Sequence, residues 1–291
     1  MKLSRLFGYT VGAVTLLSTS SAFAATNPNL GQASSFSVLS GTYSNTTPGT
    51  TLNGDLGYTT PPATAATVNG RTHVADGTYN QAGIDQGSAL SGLNNQPCTF
   101  TFAPGAVDLA SDTTHGAVGS YNPGVYCVSG AASVGGGGTI TLTGAGTYIF
   151  RMTGALTTSA NSIIAVAGGA TACNVWWTPG AATTLGANST FGGTVIDASG
   201  ITIGNTVVWS GRALAFGGTV TTDRDTISSA GCNTGGSSAV STASTGNKVP
   251  GLPNTGGSEL PTHSNNWLIA PAVIGSLLAV GAFFAIRKRV A

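Results

Sequence analysis

Charge is what this chain lacks most. Residues 25–232 hold eight Asp, four Arg, no Glu and no Lys. Over the whole chain charged residues make up 7%, where soluble domains ordinarily carry about 25%. Phosphate recognition needs clustered Lys and Arg, so nucleic acid is excluded as a partner. Histidine is almost as scarce, with only His73 and His115 in that span. No Ser or Cys stands in a nucleophile-elbow pattern, and no CxxC or Cys/His spacing suggests zinc. The carboxylates that a polysaccharide lyase or hydrolase requires reduce to Asp197 and Asp223-Arg224-Asp225, and Asp in turns commonly caps backbone groups. No catalytic residue, metal or cofactor is expected, and the chain is not read as an enzyme. Nor is low charge a sign of disorder, because 41% of the residues are hydrophobic.

Both ends are readable. Lys2 and Arg5 precede an apolar stretch from Leu6 to Leu17, and Ala22-Phe23-Ala24 has the small-x-small form of a cleavage site. Residues 1–24 are therefore expected to be a signal peptide, cut between Ala24 and Ala25. At the other end, 233–251 is a Gly/Ser/Thr-rich linker with one charge, Lys248, a composition suited to a flexible stalk. Leu252-Pro253-Asn254-Thr255-Gly256, the apolar run 267–286 and the basic tail 287–291 follow. As a helix that run reaches about 30 Å, the thickness of a bilayer core. The order of parts resembles the cell-wall sorting signal read by sortase transpeptidases. The resemblance implies that Thr255 is joined to peptidoglycan, with sortase, the cell wall and, before sorting, the membrane as partners. The expected localisation is extracellular, anchored to the cell wall or cell surface through the C-terminus.

Residues 25–232 remain as one domain, expected to be monomeric. Its cysteines, Cys98, Cys127, Cys173 and Cys232, allow three pairings and the sequence alone does not choose among them. The preferred reading is Cys98–Cys127, stapling a loop to a strand, and Cys173–Cys232, tying down the domain's last residue. Residues 183–200 lie over 201–218 without gaps. Thr184/Thr202, Gly186/Gly204, Gly193/Gly211 and Gly200/Gly218 are identical, and Leu185/Ile203, Phe191/Trp209 and Ile196/Leu214 keep their apolar character. A partial third copy, Val220-Thr221-Thr222, follows one residue out of phase. A period near 18 suits one turn of a β-solenoid built from three short strands with Gly at the corners. A β-sandwich of Thr-rich strands is the alternative. In the solenoid, Leu185 stacks on Ile203 and Phe191 on Trp209 inside, while Thr184, Thr202 and Thr221 form an outward ladder. Thr139-Ile140-Thr141-Leu142-Thr143 alternates in the same sense. Of Trp176 and Trp177, one is expected in the core and one outside. Arg212, set between apolar residues, reads as structural. Residues 76–93 have near-helical apolar spacing.

Several motifs in order resemble the ice-binding-protein-like β-solenoid family: Leu52-Asn53-Gly54-Asp55-Leu56-Gly57, Asn122-Pro123-Gly124-Val125-Tyr126, Tyr148-Ile149-Phe150-Arg151, Cys173-Asn174-Val175-Trp176-Trp177 and Gly211-Arg212-Ala213-Leu214-Ala215. The resemblance implies a mainly β, irregular right-handed three-faced solenoid with one long helix alongside and adjoining N- and C-terminal coils. To this the C-terminal run adds a transmembrane helix. The function implied is ice binding by a flat Thr/Ser/Asn-rich face, with an ice crystal surface as the partner. A non-ice surface adhesin or display domain is the alternative. Some family members carry a T-(A/G)-x-(T/N) motif at the corner entering the ice-facing strands. Here the matching places are Thr158-Ser159-Ala160-Asn161, Ala187-Asn188-Ser189-Thr190 and Gly204-Asn205-Thr206. The candidate face residues are accordingly Thr158, Asn161, Thr184, Asn188, Thr190, Thr202, Asn205, Thr206 and Thr221.

Overall fold

The structure, a computed structural model, describes residues 24–229 and Cys232. Eighteen short strands among them join into one continuous sheet, and the pairings run parallel from coil to coil. The 18-residue repeat is the register of that stacking. Thr184 lies beside Thr202 and Leu185 beside Ile203, while Phe191 meets Trp209 and Gly193 meets Gly211. The third copy slips by one residue as expected, placing Val220 on Ile201 and Thr221 on Thr202. This is a β-solenoid, and the sandwich alternative falls.

Coil order departs from chain order. Strand Phe36–Asn45 pairs with Val208–Thr222, setting Val38 beside Ala213 and Tyr43 beside Val220, so the first and last coils adjoin. Helix α1, Gly77–Asn94, then leads into the strands that stack upward from Phe100–Thr101. Asp76 caps its N-terminus by accepting from the Tyr79 amide. Tyr79, Ala82, Gln86, Ala89 and Leu93 make up most of its buried side, at the three-to-four-residue spacing of one helical stripe. Gly83 is needed mid-helix because a Cβ there would lie 2.4 Å from the Phe216 ring.

Two cores result. One fills the solenoid, where Tyr126, Phe150, Trp177, Phe191 and Trp209 stack from coil to coil. The other lies between sheet and helix and holds Leu39, Tyr79, Leu93, Ile149, Trp176, Ile196 and Leu214. Strands on this face are buried on both sides and read as unbroken apolar runs. That corrects the expectation for the tryptophan pair. Trp177 is in the inner core and Trp176 is also buried, its Nε1 donating to Asn27 Oδ1 at 2.8 Å. Both preferred disulfides form, Cys98–Cys127 and Cys173–Cys232. Arg212 is structural, donating to the carbonyls of Ser34 and Cys232.

One part of the expected fold is corrected. Among the described residues no helix is long and apolar enough to cross a membrane. The run 267–286, the pentapeptide 252–256 and the tail 287–291 lie outside the described residues, as do 1–23 and the whole of the linker 233–251. The transmembrane helix is withdrawn from the fold class. With it go the C-terminal anchor and the partners read from that anchor: sortase, peptidoglycan and the membrane.

Candidate functional site

The helix covers one face of the solenoid and leaves two. On the second face the expected hydroxyl ladder is present, running Ser133, Thr157, Thr184, Thr202, Thr221 and Ser44. It begins beside Asp108, which pairs with Ser133. Its register shifts between Met152 and Thr157 and again between Ser40 and Thr42.

The third face is more regular. Thr139, Ile163, Thr190, Val208, Thr226, Thr51 and Thr67 pair in unbroken succession. Seven strands at a sheet's spacing of about 4.8 Å make a column about 29 Å long. Beside it runs a second row that includes Ser120, Thr141, Ala165, Ser210, Ser228 and Asn53, interrupted at the buried Gly192. None of the residues in these two rows is charged. Alternation directs the intervening residues inward, and Ile140, Ile164, Phe191, Trp209, Ile227 and Leu52 are all buried. Two large aliphatics remain in the outer column, Ile163 at 42% and Val208 at 54% exposure.

Between these two faces is a corner built five times the same way. Gly137, Asn161, Asn188, Thr206 and Arg224 each stand two residues before an outward residue of the third face, and all have φ between 57° and 68°. Asn tolerates this left-handed backbone because its side chain bonds locally. The next residue turns inward. Ser162 Oγ donates to Ser159 O at 2.7 Å and Ser189 Oγ to Gly186 O at 2.7 Å. In the last coil Asp225 replaces Ser and accepts from the Val207 and Asp223 amides, both at 2.8 Å.

Burial without a countercharge pushes the Asp225 carboxyl from its ordinary 3.8 up to about 6. Asp197, also buried, is raised by the same cause while accepting from Thr183 Oγ1 and the Ser199 amide. At Asp225 the folded state therefore keeps a proton that the unfolded chain has already lost between about pH 4 and pH 6, and Asp197 acts in the same direction. Stability from these groups is greatest below that window, falls as pH rises through it, and levels off above. For Asp225 the upper bound is about 3 kcal/mol. Urea unfolding is expected to show a higher midpoint at pH 4.5 than at pH 7.5, and Asp225→Asn is expected to shrink the difference; a flat profile in the parent protein removes this account.

The structure distributes the sequence candidates among three places. Thr184, Thr202 and Thr221 lie on the second face, Thr190 on the third, and Asn161, Asn188 and Thr206 at the corner with the half-buried Asn205. Thr158 is corrected. It is 3% exposed and its Oγ1 accepts from the Gly186 amide, so Thr157 takes the outward place. Thr139, Ile163, Val208, Thr226, Thr51 and Thr67 were not among the candidates, although the alternation at 139–143 points to the first. The histidines are structural. His73 is buried against Asp76 at 2.8 Å, and His115 stacks on Tyr121 with ring centroids 4.1 Å apart. Among the described residues no group of three or more His, Cys, Asp or Glu could hold a metal ion.

A family model described as ice-binding-like matches residues 38–228. An ice-binding protein of Nostoc sp. (strain HG1) is 34% identical over 218 residues, covering 69% of this chain and 74% of that protein. One from Flavobacterium frigoris (strain PS1) is 29% identical over 205 residues, covering 64% and 71%. Among solved structures, the ice-binding protein of the Antarctic ascomycete Antarctomyces psychrotrophicus superposes with a TM-score of 0.61 at 28% identity, covering 70% of this chain and 98% of that one.

Proposed function

Because this chain belongs to the ice-binding-like family, we propose that it is an extracellular ice-binding protein whose third face, with the Asn corner leading into it, adsorbs to ice. The protein is not an enzyme: the act is adsorption, with no bond made or broken. The observation that carries the reading is the register-true, uncharged column from Thr139 to Thr67. Ice presents regularly spaced oxygens and no net charge, so a matching surface must be flat, repeated and neutral. Thr supplies a hydroxyl and a methyl on a side chain stiff at χ1, which limits the entropy lost on binding. Ile163 and Val208 extend the same methyl-bearing surface. The corner motif agrees, since Thr158-Ser159-Ala160-Asn161 leads into the strand that begins at Ile163. The second face fits less well, having Asp108 at its end and breaks in its register.

Export rests on residues 1–24 acting as a signal peptide cut between Ala24 and Ala25, and two disulfides suit an oxidising compartment. Nothing in this proposal depends on the C-terminal pentapeptide. The test is thermal hysteresis and inhibition of ice recrystallisation by the purified protein, beside the same sample heat-denatured. Activity confined to the folded sample is expected; its absence from both assays overturns the reading.

A further inference from the structure

We propose that Cys98–Cys127 is a thiol-exchange site activated by Arg151, able to form a mixed disulfide at Cys98 with a small thiol. Three observations converge. Arg151 Nη2 lies 2.9 Å from Cys98 Sγ and 3.0 Å from Cys127 Sγ, so one guanidinium edge touches both sulfurs. The other nitrogen, Nη1, donates to the carbonyls of Asn94 and Gln96 at the end of α1, which fixes the guanidinium in that position. Finally, Cys98 is exposed while Cys127 is buried in the strand beside Arg151. The two sulfurs therefore differ in access and share one cation.

The chemistry follows from that asymmetry. An external thiolate attacks Cys98 Sγ, the accessible sulfur. A new S–S bond forms there, the Cys98–Cys127 bond breaks, and its electron pair leaves on Cys127 Sγ as a thiolate beside the guanidinium. A second thiolate then attacks the outer sulfur of the mixed disulfide and leaves Cys98 reduced. A neighbouring cation lowers thiol pKa, and a leaving thiol of lower pKa departs faster. Arg151 takes no covalent part; it is a positioning and charge-stabilising residue.

The test is reduction of the intact, folded protein by reduced glutathione, followed by quenching and peptide mapping, for the parent protein, Arg151→Lys and Arg151→Gln. Loss of the guanidinium is expected to slow opening of Cys98–Cys127 by roughly three- to tenfold in Arg151→Gln, with Arg151→Lys between the two. The rate at Cys173–Cys232 is expected to be unchanged, which controls for general loosening. A merely structural role would act oppositely, since freeing the end of α1 would speed attack. In the reduced protein, alkylation of Cys127 by iodoacetamide is expected to persist to lower pH than in Arg151→Gln. Equal or faster opening in Arg151→Gln, or superimposable alkylation profiles, overturns the proposal. Neither result bears on ice binding, which is measured separately.

Discussion

Thr190→Tyr is expected to abolish ice activity while leaving the domain folded. Thr190 is exposed at the middle of the third face, between Ile163 and Val208 in register. A phenol there stands above its neighbours and holds the column off a flat lattice along its whole length. The fold has little reason to respond. The Thr190 amide still donates to Ser162 O at 2.9 Å, Tyr is a good strand residue, and exposed substitutions usually change stability by about 0.5 kcal/mol or less. The comparison that gives this force is Thr202→Tyr, exposed on the second face one coil along. Thermal hysteresis is expected to vanish in the first variant and persist in the second, with matching circular dichroism and Tm. The reverse pattern would move the binding surface to the hydroxyl ladder, and loss in neither would leave ice binding without either face.

The part of this fold that was legible in the sequence is the part where coils have equal length. Residues 183–218 show their repeat because Thr184 and Thr202, like Phe191 and Trp209, are partners one coil apart with no insertion between. Elsewhere the same stacking is hidden. Ser133 pairs with Thr157 but Thr157 with Thr184, at unequal sequence distances, because turns such as Ala172–Asn174 lengthen some coils. The adjoining of first and last coils, where Val38 lies beside Ala213, has no periodic trace, and only the family resemblance implies it.

The face residues show the same limit at finer scale. In a pair of adjacent threonines, Thr157 and Thr158, alternation decides which one points outward, and the register shift just before them resets its parity. Thr158 is a candidate through the corner motif, which carries no information on the direction of its side chain. The sequence does not mark Ile163 and Val208 as surface residues, because an aliphatic on a strand looks like core until its partners are known. The corner was easier to find. Asn161 and Asn188 announce themselves because few residues accept the left-handed backbone there.

Trp209→Ala is expected to be the most destabilising single change near the face, at about 3–5 kcal/mol. The ring is 1% exposed, meets Phe191 edge-on at 4.9 Å, and its Nε1 donates to Gly193 O at 2.7 Å. Truncation thus opens a cavity and removes a donor from a buried carbonyl. For a domain of this size the loss corresponds to a fall in Tm of roughly 6–20 °C. The same ring also supports the surface, because its chain neighbours Val208 and Ser210 are outward residues of the third face. Gly211, next along, shows how little room exists. Its φ is +146°, and a Cβ there would lie 1.9 Å from Gly193 O. Strands packed this closely leave a cavity only by letting the backbone above it sag. At ice-assay temperatures Trp209→Ala is expected to remain folded yet lose part of its thermal hysteresis, although no residue of the face itself has changed. Full activity from a folded Trp209→Ala protein would mean that the flatness of the face does not depend on the aromatic column beneath it.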